Sequence, residues 1–263
     1  MDALREAAVV GDLFPRDRRG PGPALRDSRR GRTYSYRDLI TTAYKACNVL
    51  RYLGVAGGSL VEIEPDPAPQ PIFTFFGAAL LGASASFSPR VAPGPDAAPA
   101  AVIVPVGREG AFDLPPGTQL ATYGGEPADP RTTHWEAEAW SENPTIPPYD
   151  VDTGDVLLSG ADGVVTHGAA LTAATTAVET MKLASGDRVG VRDPLGGPRL
   201  LAAGLLAPIA VGATVVLPGD DGEPPPSVDV AVQGGDTGGD DEAANGIGFE
   251  ADAVFDADRI EID

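Results

Sequence analysis

Ser159, Gly160, Asp162, Gly163, Thr166 and His167 fall within one short segment, LSGADGVVTH (residues 158–167), and are of the types that three chemistries use. A glycine turn entering a helix aims backbone N–H groups at a phosphate, and a lysine normally neutralises the charge. The helix entry is present here, but no lysine accompanies it. Asp162 instead adds a carboxylate, which at about 4 Å repels a phosphate charge by about 1 kcal/mol in water and by more when desolvated. A nucleophilic triad would need Ser159, Asp162 and His167 to converge on one point. No G-x-S-x-G elbow accompanies them, so His167 is expected to be a helix-start residue of structural role. The chain has only two histidines, His134 and His167, with no spaced carboxylate pair around either, so no metal site is expected. Asp162-Gly163 is a turn dipeptide, expected to join strand to helix tightly.

The flanking pattern must position these residues. Asp155–Leu158 is a short apolar strand candidate, and residues 168–183 place Leu171, Ala174, Thr175, Val178 and Met181 on one helical face. A strand over 188–191, a helix over 199–211 and a strand over 213–217 follow, each nearly continuously apolar, as in a buried parallel sheet. Upstream, Ser35 can cap a helix carrying Leu39, Ala43, Ala46, Cys47, Leu50 and Leu53, which Gly54 would stop. A strand over 59–63, a helix over 71–83 and a strand over 84–88 come next, with Gly77 and Gly82 allowing close helix–sheet approach. Phe73, Phe75 and Phe76 suit a core better than a ligand cage. Residues 101–105 and 119–123 are strand candidates, and 124–149 reads as loop and weak helix.

The expected fold class is therefore α/β, three-layer, with a mainly parallel sheet and helices on both faces. Its strands lie near 60–63, 84–87, 102–104, 156–158, 189–191 and 214–217. The expected domains are a basic, proline-broken N-terminal arm (1–30), an α/β domain (31–218) and an acidic, Gly-rich C-terminal segment (219–263). In that last segment 228–232 and 253–255 are possible edge strands, and 234–246 is expected to be a disordered loop.

Several of these stretches resemble the adenylate-forming superfamily of acyl-CoA synthetases, peptide-synthetase adenylation domains and luciferase-like ligases. Leu158-Ser159-Gly160 resembles the start of its phosphate loop, T-S-G-S/T-T-G-x-P-K-G-V, and Gly163 to His167 resembles its end. The tract between, with its threonines and lysine, is shorter by about four residues than the family pattern. TYSYRDL at 33–39, LGVAGGS at 53–59 and FGAALLGA at 76–83 are similar to the family's opening helix, first strand and second helix. Where the family has P-L/M-F/Y-H lining its pocket, this chain has Pro194-Leu195-Gly196-Gly197. The similarity covers roughly residues 30–218 and corresponds to the first half of an adenylating enzyme. It implies the family fold with a vestigial phosphate loop at Ser159, Gly160, Asp162, Gly163, Thr166 and His167. ATP and magnesium serve the family, but no cofactor is expected here. The implied function is that of a non-catalytic, acyl-CoA synthetase-like binding or regulatory subunit. The alternative is an acyl-CoA or adenylate-forming ligase, residual or part of a split enzyme.

Composition narrows the partners. The formal charge of −19 rests on 38 acidic against 19 basic residues. Such a surface resembles that of halophile proteins and would repel nucleic acid. Residues 1–53 reverse the balance with eleven basic and six acidic side chains, a patch able to meet acidic protein surface. The expected partners are an acyl-activating protein or a second copy of the chain, with no membrane and no nucleic acid, in the cytoplasm. A single cysteine, Cys47, excludes an internal disulfide and a Cys-x-x-Cys metal site. If the acidic surface is a solvent adaptation, the thermal midpoint rises as KCl goes from 0.1 M to about 1 M, because screening relieves carboxylate repulsion. Melts that stay flat or fall with salt contradict it.

Overall fold

The computed structural model describes residues 2–87, 98–160, 163–191, 197–219, 227–233 and 250–262. The chain divides into two units: one of Met1–Ile40, Pro67–Pro69 and Gly168–Asp263, the other of Thr41–Asp66 and Gln70–His167. Each is built on its own mixed but mainly parallel sheet, with helices on both faces of the architecture.

The unit of residues 41–66 and 70–167 holds β3 (Leu60–Ile63), β4 (Ser84–Ser86), β5 (Ala101–Pro105), β6 (Gln119–Tyr123), β7 (Thr133–His134), β8 (Val156–Gly160) and β9 (Gly163–Thr166). Their order is β7-β6-β5-β3-β4-β8-β9, parallel except for the antiparallel pair β8–β9. Val61, Ile63, Ala85, Val102 and Ile103 are fully buried, which explains the uninterrupted apolar runs of these central strands. The helices are the C-terminal part of α2 (Tyr36–Tyr52), α3 (Pro69–Leu81) and α4 (Trp135–Ser141). Phe73, Phe75 and Phe76 on α3 are core residues, and Trp135 stacks on Phe73 with ring centroids 6.4 Å apart.

The other unit carries β1 (Pro23–Asp27), β2 (Arg32–Ser35), β10 (Arg188–Val191), β11 (Thr214–Leu217), β12 (Ser227–Gln233) and β13 (Glu250–Asp256) in the order β13-β12-β10-β11-β1-β2. Only β2 runs antiparallel to its neighbour. The helices are α1 (Asp2–Glu6), α5 (His167–Met181), α6 (Pro198–Leu201) and α7 (Ala207–Val211). A π-turn over Ala202–Leu206 joins α6 to α7, with the Ala207 N–H donating to the Ala202 carbonyl five residues back. The helix expected over 199–211 is therefore present and continuous, and Pro208, which offers no N–H to the carbonyl of Gly204, accounts for its wider turn.

Three expectations change. The strands fall into two sheets rather than one, because an apolar run reports burial on both faces but not which strand lies beside it. The stretch expected to be a proline-broken arm contains β1, which pairs in parallel with β11 through Leu25↔Val215 and Arg26↔Val216. Pro23 opens that strand, a position where its missing N–H is tolerated. The segment is further anchored by Arg18, whose guanidinium donates to the carbonyls of Leu13, Ile209 and Ala210 at 2.7, 2.9 and 3.2 Å. Finally, Gly77 mediates helix–helix rather than helix–sheet contact. The stretch 234–246, expected as a loop, lies outside the described residues.

Local signals at α2 hold as expected. The Ser35 hydroxyl accepts from the Asp38 N–H at 3.1 Å while the Asp38 carboxylate accepts from the Ser35 N–H at 2.9 Å, a reciprocal cap. Gly54, at φ +81°, turns the chain out of the helix, and the Val55 N–H closes onto the Leu50 carbonyl at 2.9 Å.

Two contacts generate measurable expectations. A Cβ on Gly77 would lie 2.7 Å from the Cys47 nitrogen and 2.8 Å from the Ala46 carbonyl carbon, both backbone atoms that cannot swing aside. Alanine gains up to about 1 kcal/mol in a helix, but overpacking costs about 1–3 kcal/mol, so Gly77→Ala lowers stability in urea unfolding. Gly110→Ala, where nothing lies within 4 Å, leaves it unchanged within about 0.5 kcal/mol. The second expectation concerns pH. Burial pushes the Cys47 thiol up to about 12 and raises the hydroxyls of Tyr36 and Tyr123 well above the ordinary phenol range, the latter helped by the Asp66, Glu64 and Glu136 carboxylates. Groups whose folded pKa is raised contribute stability that is whole below their ordinary pKa and lost as pH rises toward the folded value. The urea midpoint therefore falls steadily above about pH 9, and Cys47 resists thiol reagents at pH 8 until the chain is unfolded.

Candidate functional site

The segment that opened the sequence folds as a β-hairpin. β8 and β9 pair in antiparallel register as Val156↔Thr166, Leu158↔Val165, Ser159↔Val164 and Gly160↔Gly163. The turn residues Ala161 and Asp162 lie outside the described residues. Gly163 has φ +116°, a conformation that suits glycine at the end of a two-residue connection. This corrects the expected path in one respect. Asp162-Gly163 leads from strand to strand, and the helix begins only after β9. Val164 and Val165, flanked by Gly163 and Thr166, are long enough to extend the sheet once the chain has doubled back.

That register separates the candidate residues. Gly160 and Gly163 are exposed at the tip, Ser159 is half-buried on β8, and Thr166 sits at the base opposite Val156. His167 is wholly buried as the first residue of α5, with its N–H donating to the Asp155 carbonyl at 3.1 Å. The run from Gly163 to His167 is four residues, about 13 Å of extended strand. The glycines at the tip and the histidine at the base therefore do not face one ligand, and Ser159 and His167 do not form a nucleophile–base pair.

A cleft of about 480 Å³ opens beside β8, lined in part by Ser159, Ser84, Asp150, Asp155, Gly57 and Gly58. Its described lining has two carboxylates and no basic side chain. Asp155 is partly committed, since its carboxylate accepts from the Asp152 N–H at 2.9 Å. Of the expected site residues that are described, only Ser159 lines this cleft. The others that line it come from three separate segments, and no spacing in the sequence links them; the turn glycines Gly57-Gly58 were the only local mark. A second cleft of about 500 Å³ is lined by Arg51, Asn48, Tyr52, Glu142 and Tyr149 among others. There Asn48 donates to the carbonyls of Asn143 and Thr145 at 2.9 and 3.1 Å and accepts from Arg51 at 3.2 Å, which fixes the guanidinium.

Among the described residues no three His, Cys, Asp or Glu side chains gather to hold a metal ion. His134 pairs with Glu136 at 3.4 Å instead. No described helix is long and apolar enough to cross a membrane. The stretch Pro194-Leu195-Gly196 lies outside the described residues; Gly197 is extended and Pro198 starts α6.

No protein-family model and no curated protein matches the sequence. Solved structures do match in fold. The anthranilate CoA ligase AuaEII, in complex with anthranoyl-AMP, aligns with a TM-score of 0.67 and 19% identity over 89% of this chain and 51% of that one. The N-terminal domain of FACL13 from Mycobacterium tuberculosis aligns at 0.70 and 18% over 87% and 63%. The Brucella canis acyl-CoA synthetase aligns at 0.70 and 15% over 95% and 57%. The chain thus spans between 51% and 63% of the length of these structures. Its fold is that of the N-terminal portion of the adenylate-forming enzymes.

Proposed function

We propose that this chain is a non-catalytic protein of acyl-CoA synthetase-like fold, acting as a binding or regulatory subunit that does not use ATP. The observation that carries this reading is the pairing of Ser159 with Val164 and Gly160 with Gly163. A phosphate loop needs several consecutive N–H groups unbonded within the protein, together with hydroxyls and a cation. Here the strand pairing leaves only two residues, Ala161 and Asp162, between the paired glycines, and one of those two is an aspartate. The adjoining cleft adds Asp150 and Asp155, each opposing a phosphate charge by about 1 kcal/mol at about 4 Å in water and by about 4 kcal/mol near a protein surface.

Adenylation requires a triphosphate held with magnesium while charge develops on it, so these features remove the stabilisation that the chemistry depends on. Isothermal titration calorimetry of the folded protein with Mg-ATP is expected to give no binding heat at ligand concentrations up to about 1 mM, which corresponds to less than about 4 kcal/mol of affinity. Micromolar affinity for Mg-ATP overturns the reading. The same titration on Asp162→Lys checks the cause: if charge at the turn were the only obstacle, this single change would bring measurable binding, whereas the proposal expects none because the hairpin still leaves too few unbonded N–H groups.

A further inference from the structure

The cleft of about 500 Å³ at the C-terminal end of α2 has a described lining drawn entirely from the unit of the seven-stranded sheet, and none of it belongs to the β8–β9 hairpin. It carries one charge of each sign, Arg51 and Glu142. No ion pair joins these two, and neither pairs with another described charge. Arg51 is nevertheless held. Its Nη1 donates to Asn48 Oδ1 at 3.2 Å, and the buried Asn48 is itself tied through Nδ2 to the carbonyls of Asn143 and Thr145. An arginine positioned by a buried amide rather than by a carboxylate keeps its charge and its remaining N–H donors for a ligand. Beside the two charges, Tyr52, Tyr149, Val55 and Leu81 supply ring and aliphatic surface.

This lining discriminates between ligands by charge. A simple anion meets Arg51 but also Glu142 and the negative end of the α2 dipole, which is generated by a helix of 17 residues. A simple cation meets Glu142 but also Arg51. A molecule that carries both charges satisfies each of them. Size agrees. A cleft of this volume is about 10 Å across. Hydrogen bonds of about 3 Å at either end leave about 4 Å, room for an amino nitrogen and a carboxyl carbon that one Cα holds about 2.5 Å apart, but not for charges at the two ends of a long chain.

We propose that this cleft binds a free α-amino acid with an apolar side chain, its carboxylate on Arg51, its ammonium on Glu142 and its side chain against Tyr52, Tyr149 and Leu81. The cleft is separate from the hairpin, so its occupancy does not depend on whether Mg-ATP binds the protein.

The test is isothermal titration calorimetry of the full chain with L-phenylalanine and with L-leucine. At least one of them is expected to bind with a Kd below about 1 mM. The amino alcohol of the tighter binder lacks the carboxylate, and its N-acetyl derivative lacks the ammonium. Each is expected to bind at least about tenfold more weakly than the parent. Arg51 is exposed and Glu142 half-buried, so both can be changed without opening the core. Arg51→Gln is expected to weaken the amino acid by about tenfold or more while the amino alcohol binds no more weakly than before. Glu142→Gln is expected to weaken the amino acid similarly while the N-acetyl derivative binds no more weakly. Circular dichroism checks that each variant is folded, and if one is not, the ligand series on the unaltered protein decides alone. No binding of either amino acid up to about 10 mM, a derivative that matches its parent, or folded variants that bind the amino acid as tightly as the unaltered protein each overturn the proposal.

Discussion

A backbone amide already committed to a neighbouring strand cannot also bind a ligand, and at the β8–β9 hairpin that constraint governs everything around the candidate site. β8 lies between β4 and β9, with Ala85↔Leu158 pairing on one side and Ser159↔Val164 on the other. β8 is thus flanked on both sides near the position of Ser159. Doubling back through two residues forces β9 to begin at Gly163, carries Thr166 to the base of the hairpin and delivers His167 into the interior as α5 starts. The arrangement leaves little loop between the end of β8 and the start of α5. Beside β8 lies a cleft whose described lining carries two carboxylates and no basic side chain.

Much of the fold was legible in the sequence. The apolar runs at 60–63, 84–86, 101–105, 119–123, 188–191 and 214–217 gave strands within a residue or two of their final bounds, because burial on both faces leaves no room for polar alternation. Ser35 and Gly54 marked the ends of α2 because caps are local chemistry. Partnership was not legible. Nothing in VDTGDVLLSG states that β8 lies beside β4, nor in GPALRD that β1 lies beside β11, since both pairings join segments far apart in the chain. β1 was further obscured by its prolines and arginines, which resemble loop composition. β9 was missed because GVVT is short and its strand character depends on the turn before it.

The site was legible only in its first element. Ser159, expected as part of a phosphate loop, lines a cleft from the strand β8, and Asp150, Asp155, Ser84 and the Gly57-Gly58 turn converge on it from other segments. The resemblance of the hairpin to the two ends of a phosphate loop was visible from residue types. That the segment folds back on itself as a hairpin was not, because pairing depends on register. Register in turn depends on where the turn falls, and a shift of one residue would have sent Ser159 to the opposite face.

The union of β1 with β11 also imposes an order on biosynthesis. The Thr214 hydroxyl donates to the Pro23 carbonyl across 191 residues of chain, and β1 has no parallel partner until Thr214–Leu217 have been made. At about 5–20 residues per second, an N-terminal segment leaving the ribosome waits about 10–40 s for that partner. The seven-stranded sheet, drawn wholly from residues 60–166, is complete in sequence well before then. Through that interval the arginines of the β1–β2 hairpin keep an unfinished sheet edge in water, a task for which positive charge on an otherwise acidic chain is well suited.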